Sequence, residues 1–171
     1  MPPNIRPSIR RYRSADLDAV IEIYQRAIRE VASKDYSPAQ VEAWAQVDRD
    51  GFATRRLSRP TWVAVLGEER LGFTDLEPDG HLDMMFVHPA HQGIGVATLL
   101  CATVEAAATE QGIGRLFAEA SLTARPFFER RGFSVIAAQQ VEKRGQVLRN
   151  FRMEKSISWC SDPFRGSNDE P

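Results

Sequence analysis

Residues 85–112, MFVHPAHQGIGVATLLCATVEAAATEQG, decide how this 171-residue chain folds. An apolar run, Met85, Phe86 and Val87, stops at Pro89, passes through Gly93 and Gly95, and becomes a long segment with apolar residues at helical spacing. The two glycines remove side chains where strand gives way to helix, so several backbone N–H groups can converge on one point. The helix macrodipole adds partial positive charge there, which suits a phosphate or pyrophosphate. Taken alone, a Gly-x-Gly turn before a helix is more often a packing device than an anion site.

Two familiar phosphate motifs fail on this stretch. A dinucleotide fingerprint wants a third Gly or Ala where the chain has Thr98, and the segments before it are not a βαβ series. A Walker A loop needs Gly-Lys-Ser/Thr, and the turn holds no lysine.

Working outward, residues 5–12 alternate weakly as an edge strand. Ser14 can cap a helix whose apolar residues Leu17, Val20, Ile21, Tyr24, Ala27, Ile28 and Val31 share one face. Ser37, Pro38 and Gln40 form a capping-box start for a second helix that carries Val41, Trp44 and Ala45. Residues 61–67 and 70–78 read as strands joined by a short turn, and residues 81–87 continue the sheet. Gly112 and Gly114 stop the long helix, residues 115–121 form another strand, and a short helix over residues 124–131 closes at Gly132. Residues 133–141 and 146–154 make a closing strand pair turned near residues 143–145. The pattern predicts an α/β (α+β) chain: a mixed, mostly antiparallel central sheet with helices on both faces and one strand-helix-strand crossover over residues 81–121. We expect one domain over residues 1–158 and a polar, frayed tail over residues 159–171.

Composition narrows function. The 22 basic and 23 acidic residues leave a formal net charge of -1, so nucleic acid and anionic membrane are not expected partners. The longest apolar segments are too short to cross a bilayer and the first residues lack the apolar centre of a secretory signal, so a cytoplasmic location is expected. Cys101 and Cys160 have no partner at short spacing and read as reduced thiols rather than a disulfide or zinc framework. His88 and His91 are three apart, but Pro89 lies between them and no Cys or acid completes a set, so no metal site is expected.

One pattern does fit the central stretch. Val87, Pro89, Gln92, Gly95 and Ala97 spell V-x-P-x-x-Q-x-x-G-x-A, which resembles the acyl-CoA binding motif of the GNAT superfamily of N-acetyltransferases. ARPFFERRGF, residues 124–133, looks like that family's A-x-x-x-Y-x-x-x-G-F segment, with Phe128 at the tyrosine position. Together with YSPAQVEAWAQ, residues 36–46, it looks most like the YafP group of bacterial acetyltransferases. The resemblance covers residues 9–157 and implies acetyl-CoA as acyl donor. It implies pantetheine contacts at Phe86 and Val87, and pyrophosphate contacts from the main chain of Gln92, Gly93, Ile94, Gly95, Val96, Ala97 and Thr98. Ser121 stands where many members place an Asn, and Phe127 and Phe128 are expected to flank the outer cofactor wall. The early helices, with Tyr24, Tyr36 and Trp44, would form one wall of the acceptor pocket, although Trp44 is more simply core.

Transfer to an amine needs a deprotonated nitrogen, a polarised thioester carbonyl and a leaving thiolate. By family likeness the Val87 N–H polarises the carbonyl. Asp83, on the face of Met85 and Val87, is the candidate base; equally it lies at the strand's exposed start, bonded to an Arg. Glu119 is a second candidate, better explained as a salt bridge, and His81 could relay a proton but reads as a surface turn. Phe128 supplies no proton, so Ser121, Tyr36 or water would serve the leaving group. Arg55, Arg56 and Arg59 read as a solvated helix face or as steering for an anion. The expected activity is N-acetyl transfer from acetyl-CoA to a small-molecule, peptide or protein amine in a ternary complex; the rival is a non-catalytic acyl-CoA binding or sensing module. The closing strands could also pair across a homodimer.

Overall fold

A computed structural model describes residues 5–157; the expectations for the tail and for Cys160 lie outside the described residues. Strand β1 (Ser8–Arg11) leads through a tight turn into α1 (Leu17–Arg26). Ser14 is not the cap there: the Asp16 carboxylate accepts the Arg13 amide at 2.8 Å. The expected long first helix loosens after Arg26 into a wider π-type turn, Ala27–Val31. Helix α2 (Pro38–Ala45) starts on the expected capping box of Ser37 and Gln40, and α3 (Arg49–Ser58) follows.

Next come β2 (Thr61–Leu66), β3 (Glu69–Asp75), the short β4 (Met85–Val87), α4 (Val96–Glu110), β5 (Arg115–Ser121), α5 (Arg125–Arg130), β6 (Ser134–Lys143) and β7 (Gln146–Ser156). The closing turn places Arg144 and Gly145 at φ 46 and 82, as a two-residue hairpin with the right twist requires.

The sheet is mixed and mostly antiparallel, but it is split. One half runs β1-β2-β3-β4 and the other β5-β7-β6, all antiparallel. They meet at one parallel bridge, His81 to Phe117, where the Phe117 amide donates to the Gly80 carbonyl (3.0 Å) and the Leu82 amide donates to the Phe117 carbonyl (2.9 Å). Only glycine permits this approach: at Gly80, φ is +94 and a Cβ would sit 2.1 Å from the Arg115 carbonyl oxygen.

Helices cover both faces. On one, Val20, Ile23, Ile28, Val41 and Phe52 from the early helices pack on Val63 and Phe73. On the other, α4 lays Val96 and Leu100 over Ala64, Leu71 and Val87, and Cys101 and Val104 over Leu116 and Ala118. Among the described residues no helix is long and apolar enough to cross a membrane.

A charged clasp closes the junction. His81 lies between Glu119 (2.5 Å) and Glu77 (3.1 Å), with its ring stacked on Phe117 at 4.8 Å. The expectation of a free surface turn fails here, because the bridge draws His81 against β5. Burial opposes a charge on His81, but the hydrogen bond and charge of Glu119, with Asp83 and Glu77, outweigh it and raise the imidazole from 6.5 to about 9. A raised folded value means stability that is full below pH 6.5 and lost as pH rises through about 9. Thermal melts between these limits should therefore fall several degrees further for the native chain than for His81→Gln; equal slopes would remove the clasp's role.

Candidate functional site

The site begins with an unfinished strand. β4 pairs with β3 in the register Gly72 to Val87, Phe73 to Phe86 and Thr74 to Met85. The Asp75 amide donates to the Met84 carbonyl and the His88 amide to the Leu71 carbonyl, so alternation turns the main-chain groups of Met84, Phe86 and His88 toward β3. Those of Met85 and Val87 face the other way, into the gap before β5. The Val87 carbonyl there accepts the Gln92 side-chain amide at 2.9 Å. On β5, Phe117 spends its groups on the bridge, so the same alternation turns the main chain of Glu119 and Ser121 into the gap. An extended ligand can add to such edges as a strand does. Phe86 lines the cavity, but its amide and carbonyl face β3; the main-chain groups that face the gap are those of Val87 and of Met85, which sequence reasoning passed over.

The gap opens into a cavity of about 520 Å³, and nearly all the expected binding residues line it. At one end stand Gly93 and Gly95, with φ of 75 and 88 and nothing within 4 Å of an added Cβ. Gly95 caps α4 without any side-chain bond, and the first turn of α4 holds no acidic residue, so the amides of Val96, Ala97 and Thr98 are left for a ligand. Arg130 and Arg131, at the end of α5, also line the cavity, with Arg131 donating to Glu105 at 3.0 Å. These features fit an anionic group such as a pyrophosphate. Ile94 is expected here too, but its side chain is 59% exposed and off the wall, which leaves it only its main chain.

The remaining walls differ in character. Phe127 and Phe128 line the α5 side, with Phe128 packed edge-on to Phe127 and Phe133. The Ser121 hydroxyl lines the cavity and accepts the Ala124 amide at 3.0 Å, which leaves its own proton to donate. Opposite, Ala27, Ile28, Val31, Ala32 and Trp44 form an apolar wall. Trp44 is half-buried, packing edge-on against Tyr36 and Phe86, so it is core and wall together.

Several candidate proton carriers are engaged elsewhere. The Tyr36 hydroxyl donates to the Arg149 carbonyl at 2.6 Å and accepts the Leu122 amide at 2.9 Å, so it ties the early helices to β5 and β7. Burial pushes the Tyr24 phenol up to about 12, and its hydroxyl donates to the Trp44 carbonyl. Cys101 is fully buried on α4, where burial raises its thiol and removes it from nucleophilic roles. Glu119 is bound to His81, whose charge and hydrogen bond lower its carboxyl.

Asp83 lies where the alternative reading put it, exposed ahead of the strand and beside arginine. The strand begins only at Met85, so Asp83 does not share its pleat and does not line the cavity. Its carboxylate is held instead by Arg59 at 3.4 Å and Arg56 at 4.0 Å. Those arginines are not a solvated face either. Arg56 is 1% exposed and donates to the fully buried Asp75 at 3.0 Å, and Arg59 reaches Glu77 at 2.6 Å. Asp75 also accepts the amides of Asp83 and Met84, each at 2.9 Å. The buried pair therefore sets where β4 starts. Glu77, His81 and Asp83 bring ligand atoms within 4.8 Å of one another, but the Arg59 guanidinium already binds both carboxylates there.

Comparison with known proteins agrees with this geometry. Residues 32–157 match the acetyltransferase (GNAT) domain family. The chain is 37% identical over 145 residues to the uncharacterized N-acetyltransferase YafP of Escherichia coli K12, covering 85% of this chain and 93% of that protein. A GCN5-related N-acetyltransferase structure from Rhodopseudomonas palustris superposes with a TM-score of 0.85 at 35% identity, covering 88% of this chain and 96% of that one. YncA of Salmonella typhimurium, solved with its cofactor acetyl-CoA, shares the fold at a TM-score of 0.69 and 21% identity, over 94% of this chain and 99% of its own. The chain belongs to the GNAT family of acetyltransferases, enzymes that use acetyl-CoA as acyl donor.

Asp75→Asn keeps an acceptor for the Asp83 and Met84 amides but leaves the buried Arg56 charge facing only Asp83, at 4.0 Å. Burial already presses the Arg56 guanidinium down and the Asp75 carboxyl up, each partly offset by the other. Denaturant unfolding should show a loss of about 3–5 kcal/mol, and Arg56→Met in the same chain should restore part of it. No loss would mean that the pair does not anchor β4.

Proposed function

We propose that the chain moves an acetyl group from acetyl-CoA to a primary amine by direct attack in a ternary complex. One observation carries this reading: a single cavity joins an uncapped helix N-terminus to an open strand edge. Acetyl-CoA supplies an activated thioester on an amide-bearing arm that ends in a pyrophosphate. The main chain of residues 92–98 would hold the pyrophosphate, and the open groups of Met85 and Val87 would pair with the amide-bearing arm.

Transfer forms one N–C bond, breaks the C–S bond and moves one proton from nitrogen to the departing sulfur. The Val87 N–H is assigned to the carbonyl oxygen, where donors aimed at developing charge act most strongly. The Ser121 hydroxyl, on the cavity wall with its proton uncommitted, passes that proton to the sulfur and regains one from the water that takes the nitrogen's. A thiol titrates near roughly 8.5, so the thiolate leaves readily and the loss of the family's tyrosine at Phe128 is bearable. Asp83, held by Arg59 and off the wall, is set aside as the direct base, and water takes the nitrogen's proton.

Phe128 favours a second reading, a module that binds acyl-CoA without turnover. Release of CoA thiol from acetyl-CoA, measured across a panel of amines against a no-amine control, separates the two: amine-dependent release is the expected result. Gly95→Asp brings strain at positive φ and a charge opposed to phosphate, and calorimetry should show acetyl-CoA binding weakened by about tenfold or more, some 1.4 kcal/mol. Undiminished binding would place the donor elsewhere and sink both readings.

A further inference from the structure

We infer that the acceptor is a primary amine with an apolar or aromatic body, not a polycation; the inference rests on the transferase reading above. The cavity is lined by two kinds of surface, the glycine turn with the start of α4 and an apolar wall from the early helices. With the donor's pyrophosphate at the glycine turn, the acceptor is left with the wall of Ala27, Ile28, Val31, Ala32 and Trp44.

This wall offers carbon and almost nothing else. Among the described residues no Asp or Glu lines the cavity; of its two arginines, Arg131 is bound to Glu105 at 3.0 Å and Arg130 follows Phe127 and Phe128 on α5. The carboxylates nearest in sequence to the wall are already bound: Glu30 to Arg26 at 2.6 Å, Asp35 to the Thr123 hydroxyl at 2.7 Å and Glu42 to Arg29 at 3.1 Å. A polyamine or aminoglycoside would have to shed water from several charges with no carboxylate to receive them. An amine with an apolar body loses nothing by the same move and buries surface against the wall. The Trp44 ring, held edge-on by Tyr36 and Phe86, offers an aromatic contact.

A second observation points the same way. The first helix abandons regular geometry over Ala27–Val31, and three of those residues, Ala27, Ile28 and Val31, are cavity wall. Such π-type turns are rare and concentrate where a helix shapes a ligand site. An apolar chamber also disfavours the ammonium form of the bound amine, so the neutral nitrogen is favoured without a carboxylate base on the wall.

The test measures CoA thiol release by the full chain with acetyl-CoA and 2-phenylethylamine, n-hexylamine, spermidine or kanamycin. We expect kcat/KM for 2-phenylethylamine to exceed that for spermidine by about tenfold or more. Val31→Glu, which sets a carboxylate into the chamber, should cut that ratio by a similar factor while calorimetry shows acetyl-CoA affinity unchanged. A higher kcat/KM for spermidine or kanamycin, or a ratio indifferent to Val31→Glu, overturns the apolar acceptor and leaves the transferase standing. Acetyl-CoA binding without release to any amine overturns the transferase reading and this inference with it.

Discussion

Beyond the hydrogen bonds that tie Gly80 and Leu82 to Phe117, β4 and β5 part, and the facing edge of β4 keeps amides and carbonyls that no strand satisfies. Main-chain polar groups cannot be left unpaired in a protein interior without a cost of roughly 1–3 kcal/mol each. The gap must therefore hold water or a ligand that presents matching groups. The uncapped start of α4, the glycine turn before it and the wall of α5 all converge on that gap. The fold thus leaves a gap that, on the function proposed above, an extended, anionic-tailed molecule fills in place of a missing strand.

Holding the gap open takes charge, which is an expensive material inside a protein. Arg56 and Asp75 are both buried, and a buried pair seldom adds stability over an apolar replacement. Its value here is positional, because Asp75 takes the amides of Asp83 and Met84 and so sets the start of β4. His81 performs the matching task at the apex, where it is clamped between acids from the two halves of the sheet. The carboxylates of the cluster are bound in this work, Asp75 to Arg56, Glu77 and Asp83 to Arg59 and Glu119 to His81, and they stay off the cavity wall.

Much of this was legible locally. The capping box at Ser37 and Gln40, the Gly-x-Gly turn and the apolar stripe of α4 are spelled by neighbours in sequence and required no tertiary help. Helix α3 was harder to read, since Arg49–Ser58 carries mostly polar residues and buries only Phe52 and Arg56. The π-type turn continues an unbroken helical pattern from α1, so its departure has no signature in the residues. Met85 was passed over because pleat direction depends on register with β3, which no single strand records.

By itself the sequence determined the element order apart from α3, the antiparallel character of the sheet, the Gly-x-Gly turn at the head of α4 and the family resemblance, all properties of short-range spacing and backbone preference. Tertiary structure alone decided that the sheet splits after Phe117, that Arg56 and Arg59 are ion-paired rather than solvated, and that Asp83 faces them instead of the cavity. The reason is physical: burial and charge pairing are set by groups far apart in the chain, as Arg56 and Asp75 are, and they appear only when distant elements close on one another.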